Sequence, residues 1–116
     1  MGNLFRLLLV GLYTVIVGVP VIAASPFDRE ARAARVLERL WVRWILRTYG
    51  IRVEVEGLEN VPARAPVILM SNHQSLLDIA AIIHTLPPSV SWRFVAKKEL
   101  VRVPIFGWCL VTTGQI

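Results

Sequence analysis

The chain reads as an α/β protein in two parts: a helical N-terminal part over 1–50, and the first part of an α/β domain with a partly parallel sheet over 51–116. Three observations predict this. Residues 7–24 form a run of eighteen without a charge. Directly after it, Arg29, Arg32, Arg35, Arg39, Arg43 and Arg47 recur at intervals of three and four, close to the helical period. Beyond Gly50 the pattern runs strand, helix, strand, which within one sheet implies a right-handed βαβ unit and a parallel pair.

At 116 residues the chain fits one small domain with a modest core. Hydrophobic residues make up 55% of it, and much of the excess lies in the first 25 positions, so the remainder has an ordinary globular composition. The net charge is +5 and the bases cluster, which points to an anionic surface. Nucleic acid and lipid headgroups both qualify. A basic stripe directly following an apolar segment is the arrangement expected at a membrane, and no nucleic-acid fingerprint is present, so membrane phospholipid is the expected partner and nucleic acid is not. Cys109 is the single cysteine, so no intrachain disulfide forms, and its apolar surroundings read as those of a small core residue.

The apolar segment over 4–24 is just long enough to cross a hydrocarbon core, although Gly11, Gly18 and Pro20 interrupt it. A cleaved signal peptide is the competing reading, since Ala23 and Ser25 are small. Pro26 directly after such a site argues against cleavage. The basic excess on the C-terminal side places Arg29 onward in the cytoplasm. Spanning the bilayer and entering one leaflet remain equally open.

Ser25-Pro26 marks the expected start of a second helix over 27–48, with Asp28 and Glu30 in its first turn, where the helix dipole favours negative charge. Arginines line one side, and Val36, Leu37, Leu40, Trp41, Trp44 and Ile45 another. Such a helix suits a membrane interface, with tryptophan rings at headgroup depth and guanidinium groups on phosphates. The competing reading is a helix packed on its own domain with a solvated charged face.

Gly50 ends that helix. Ile51, Val53 and Val55 then alternate with Arg52, Glu54 and Glu56, as in a half-buried strand. After a connection over 57–66 with two prolines, Val67-Ile68-Leu69-Met70 is a continuous apolar run of the kind covered on both faces, and residues 92–96 read as a second buried strand. Between them a helix over 76–86 stops at Pro87-Pro88.

Where the first buried strand gives way to this helix stands Ser71-Asn72-His73-Gln74-Ser75-Leu76-Leu77-Asp78, the position at which open α/β sheets bind ligands. Five steps of about 100° would put His73 and Asp78 on different faces of a regular helix. If the helix starts at Ser75, His73 precedes it and Asp78 is in its first turn, so the imidazole can fold back onto the carboxylate. That arrangement suits a general base whose second nitrogen takes a proton from a substrate hydroxyl, with no serine or cysteine nucleophile. The alternative is structural: Ser75 and Asp78 also fit a capping box, in which Asp78 only satisfies backbone N–H groups. One histidine and one carboxylate fall short of a metal ligand set. His84 reads as a surface histidine near a helix C-terminus.

Asn72-His73 followed by Asp78 resembles the N-H-x-x-x-x-D motif of the 1-acylglycerol-3-phosphate acyltransferase family. A second block, Phe94-Val95-Ala96-Lys97-Lys98-Glu99-Leu100 followed by Val103-Pro104-Ile105-Phe106-Gly107-Trp108 and Gly114, is similar to the family's next block, and the resemblance covers roughly 53–116. It implies a membrane-bound glycerolipid acyltransferase in phospholipid biosynthesis. Such an enzyme moves a fatty acyl chain from acyl-CoA or acyl carrier protein to the free hydroxyl of lysophosphatidate, giving phosphatidate. His73 would be the base and Asp78 its orienting carboxylate. Asn72 would brace the loop, Lys97 would lie near the substrate phosphate, and no cofactor or metal would be needed. Glycerol 3-phosphate, other lysolipids or a lyso-ornithine lipid are alternative acceptors. A non-catalytic lipid-binding module would need only the apolar segment and the arginines. The family pattern continues beyond Gly114 with an arginine, a Glu-Gly motif and a proline-containing motif, so these 116 residues alone are expected to turn over substrate poorly or not at all.

Overall fold

A computed structural model describes residues 2–62, 64–72, 75, 77–87 and 89–115. Among these are four α-helices: α1 (Asn3–Ala24), α2 (Arg32–Tyr49), α3 (Leu77–Thr85) and α4 (Phe106–Thr112). Two 3-10 turns, Leu58–Asn60 and Lys98–Arg102, punctuate the connections.

The apolar N-terminal segment forms α1, which is long and apolar enough to cross a membrane by length and composition. It lies antiparallel to α2. The Arg6 guanidinium sits 5.6 Å from the Tyr49 ring centroid, and the Tyr13 and Thr48 hydroxyls bond at 3.1 Å. Further along, the Trp41 indole N–H donates to Thr14 Oγ1 at 3.1 Å, and Val17 and Val21 bury against Ala34. Trp41 and Trp44 therefore pack between helices, Trp44 with its ring centroid 5.2 Å from that of Tyr13. The outer side of α1 is exposed along Leu4, Leu8, Leu12, Val15 and Val19, a continuous apolar surface of the kind that marks an interaction site.

The second helix starts later than Pro26 suggests. Ser25 belongs to the end of α1, donating its hydroxyl to the Ile22 carbonyl at 2.8 Å. Asp28 stands outside α2 and caps it: its carboxylate accepts the N–H groups of Arg32 (2.9 Å), Ala33 (2.9 Å) and Ala34 (3.2 Å). Partial desolvation works against this anion, but the donors of Ala34, Arg32 and Ala33 and the Arg35 charge outweigh it and hold the carboxyl below its usual range. At the other end Gly50 adopts a left-handed conformation (φ 67°), and the Ile51 N–H reaches back to the Leu46 carbonyl at 2.9 Å. This Schellman closure folds residues 51–54 back over the last turns of α2.

The main core joins α2 to α3 through Val42, Leu46, Ala80 and Ile83. Ile51, Val53, Trp92 and Phe94 pack against it. The expected partly parallel sheet is absent among the described residues, and the α/β assignment is overturned: the described fold is helical. The alternation read in the sequence persists in part, since Ile51 and Val53 turn inward while Arg52 and Glu54 are exposed, but Val55 is exposed as well; the segment over 92–96, read as a buried strand, turns only Trp92 and Phe94 onto this core and leaves Arg93 and Val95 exposed. Among the described residues these extended segments form no ladder with one another. The run read as doubly covered is open instead: Ile68 is 90% and Met70 91% exposed. Alternation reports which side chains are buried, whereas a sheet needs paired N–H and C=O groups on neighbouring strands.

The last helix seats against both α1 and the preceding turn. Cys109 donates its thiol to the Gly18 carbonyl at 3.5 Å. A Cβ on Gly107 would overlap the Val101 carbonyl, so only glycine permits α4 to approach the Lys98–Arg102 turn. The 92–94 segment is tied to the C-terminal residues by the Phe94 N–H, which donates to Gln115 Oε1 at 2.6 Å.

Candidate active site

The start of α3 is built from the side chains that the sequence singled out. The Ser75 backbone N–H donates to Asp78 Oδ2 at 2.8 Å, and the Leu77 N–H donates to Ser75 Oγ at 3.2 Å. Both bonds of a capping arrangement are therefore made, and Asp78 stands in the first turn. Asp78 has interactions beyond this bond. A carboxylate offers about four lone-pair positions on two oxygens, so holding a backbone N–H does not exhaust it. Capping fixes its direction, which is also what an orienting role requires.

His73, with Gln74 and Leu76, lies outside the described residues. Asn72 is exposed, and no side-chain hydrogen bond joins it to another described residue. Lys97 is exposed in extended conformation (φ −62°) immediately before the Lys98–Arg102 turn. Asp78 and Lys97 hang from one core: α3 buries Ala80 and Ile83 in it, and Trp92 and Phe94, just before Lys97, pack on its edge. Arg39 fastens the same region, donating to the Leu86 carbonyl at 2.6 Å with its guanidinium 4.9 Å from the Trp92 ring centroid. Among the described residues no three His, Cys, Asp or Glu side chains lie together as a metal-binding group.

A pocket of about 60 Å³ opens between α1, α2 and α4 and contains Glu38 and Cys109. Burial pushes the Glu38 carboxyl up to about 7 against the opposing pull of Arg35 and Arg39. Burial and the Glu38 carboxylate push the Cys109 thiol up as well, which suppresses the thiolate and makes it a poor nucleophile. The sequence reading missed Glu38: it shares a helix side with Ala34, Trp41 and Ile45, but which way that side faces depends on where α1 packs.

The arginine row is divided by the fold. Arg32 pairs with Glu30, Arg35 donates to Ser91 Oγ at 3.2 Å, and Arg39 is held as above. Arg35 and Arg39 thus brace the molecule internally. Arg43 and Arg47 are exposed and make no ion pair with a described residue.

A family model described as Acyltransferase matches residues 52–116. The chain is 36% identical over 105 residues to the human 1-acyl-sn-glycerol-3-phosphate acyltransferase alpha, covering 90% of this chain and 35% of that protein. It is 32% identical over 105 residues to a 1-acyl-sn-glycerol-3-phosphate acyltransferase of Chlamydomonas reinhardtii, covering 89% and 30%. With the Pseudomonas aeruginosa 1-acyl-sn-glycerol-3-phosphate acyltransferase it shares 39% over 86 residues, covering 71% and 32%. The chain spans about a third of the length of these relatives. No solved structure matches.

Proposed function

Because this chain belongs to the acyltransferase family, we propose that the protein transfers a fatty acyl chain to the free hydroxyl of 1-acylglycerol 3-phosphate. The observation that carries this is the pairing of the family match with an Asp78 carboxylate directed by a capping bond at the start of α3, five residues after His73 in the sequence. Relatives named as 1-acyl-sn-glycerol-3-phosphate acyltransferases, from algal, animal and bacterial sources, support the choice of acceptor.

In the proposed mechanism Asp78 holds one ring nitrogen of His73 as a donor. The other nitrogen takes the acceptor's hydroxyl proton as the oxygen attacks the thioester carbonyl of acyl-CoA or acyl carrier protein. The tetrahedral adduct collapses, the C–S bond breaks, and the departing thiolate takes the proton back from His73. The products are phosphatidate and a free thiol, with no acyl-enzyme. The suppressed thiolate of Cys109 accords with a route that needs no cysteine. Lys97, exposed and following a segment anchored to the same core, supplies an ammonium charge for the acceptor phosphate. The apolar α1 associates the protein with the membrane, its catalytic part on the cytoplasmic side.

The test is acyl transfer from radiolabelled acyl-CoA to lysophosphatidate in membranes carrying the full-length protein, wild type beside His73→Ala. A loss of at least about a hundredfold is expected for removal of a general base. Unchanged activity would overturn the mechanism.

A further inference from the structure

Three structural facts bring a set of basic side chains together away from the start of α3. Arg43 and Arg47 stand one turn apart on the exposed side of α2. The left-handed Gly50 and the Ile51-to-Leu46 bond reverse the chain, so Arg52 returns alongside them. Ile83 docks α3 into the core beside Leu46, and the next residue, His84, reaches the rim. The result is a groove of about 510 Å³ whose wall carries Arg43, Arg47, Arg52 and His84 against a single carboxylate, Glu54. Its floor is apolar, formed by Leu46, Ile51 and Val53.

None of the three guanidinium groups forms an ion pair or hydrogen bond with a described residue. Like charges at i and i+4 disfavour a helix. The arginine row does repel itself: burial first, and then Arg43, push the Arg39 guanidinium down from its ordinary value. The favourable placement of Arg47 near the C-terminal end of the helix dipole accounts for one of the three only. An anion in the groove would relieve all of them, and planar guanidinium groups match phosphate oxygens in geometry as well as charge.

We propose that this groove binds the phosphate-bearing headgroup of a bilayer lipid, at a site separate from the acceptor phosphate. Lipid is the source because of what lies beside the groove. Arg6 of α1 is against Tyr49 and Tyr13 is bonded to Thr48, so the N-terminal half of α1, with Leu4, Phe5 and Leu8 exposed, flanks the end of α2 that carries Arg47. Guanidinium groups beside an apolar surface can hold a headgroup while that surface meets its chains. The groove uses neither His73 nor Lys97, and it can stand if the reaction proposed above fails.

The test is calorimetric titration of the full-length protein, in neutral detergent, with dioctanoyl phosphatidylglycerol, which is neither acceptor nor product of the proposed reaction. Arg43→Gln/Arg47→Gln and Arg52→Gln are each expected to weaken binding at least tenfold. Arg102→Gln, which removes an exposed charge elsewhere, is expected to leave it intact. The replaced side chains make no bonds with the described residues, so circular dichroism is expected to match wild type. His73→Ala is expected to bind as wild type while losing transfer, which separates this site from the catalytic reading. Undiminished binding by the groove variants would overturn the proposal. Displacement of the lipid by millimolar inorganic phosphate would also overturn it, by assigning the groove to free phosphate.

Discussion

Asp78 receives the backbone N–H of Ser75 at 2.8 Å, across the turn that joins the Asn72-His73 segment to α3. One carboxylate thereby serves the helix start, and in the proposed mechanism it also orients the base. The two roles separate by substitution. Asp78→Asn keeps a side-chain oxygen for the Ser75 N–H but removes the charge, so the fold is expected to hold while acyl transfer falls at least about a hundredfold. Asp78→Ala removes both and is expected to cost about 1 kcal/mol of stability in addition. Equal thermal midpoints for Asp78→Asn and wild type, with activity lost, would assign the carboxylate to chemistry; full activity in Asp78→Asn would leave it a cap alone.

Glu38 makes stability depend on pH. Its carboxyl is raised in the fold from the ordinary 4.5 to about 7, so between those values the folded state binds more protons than the unfolded. The protonated group's contribution is complete below pH 4.5, declines as pH rises, and is lost above about 7. Glu38→Gln removes the titration, and it is expected to stabilise the protein at pH 8 relative to wild type by roughly 1–3 kcal/mol, with little difference at pH 4.5. Denaturant midpoints of both proteins at the two pH values would decide this, and a pH-independent difference would sink it.

Gly107 carries the approach of α4 to the Lys98–Arg102 turn. Its missing Cβ would overlap the Val101 carbonyl, a backbone atom that can yield only if the turn moves. Gly107→Ala is therefore expected to destabilise the protein by about 1–3 kcal/mol, read as a lowered thermal midpoint. An unchanged midpoint would show that the turn gives way freely.

Arg39 ties α2 to the end of α3 and to Trp92 with a bond to the Leu86 carbonyl and a guanidinium over the indole. Lysine retains the charge but lacks the planar fork, so Arg39→Lys is expected to cost about 1–2 kcal/mol. Hydrogen exchange would report the loss locally, with faster exchange of the α3 amides. Unaltered protection there would leave Arg39 as a surface charge.

The local chemistry of this chain was legible from its residues alone. Gly50 as the end of α2, Ser75 and Asp78 as reciprocal caps, and the inward turn of Ile51 and Val53 each follow from a short window, because capping and alternation are satisfied by neighbours in sequence. The two motif blocks were likewise legible, and the family match over 52–116 agrees with them. What failed was the step from alternation to a sheet, and the placing of the second helix start at Pro26. A sheet requires strands far apart in sequence to exchange N–H and C=O bonds, and in the described fold those segments give their apolar faces to α2 and α3. The helix start required knowing that Asp28 accepts three N–H groups from outside α2. Only tertiary packing decided which arginines brace the molecule and which line a groove, and it alone placed Glu38 in an apolar pocket. Helical period fixes which residues share a face, but the element that packs against that face sets its surroundings, and with them the charge, burial and partners of each side chain.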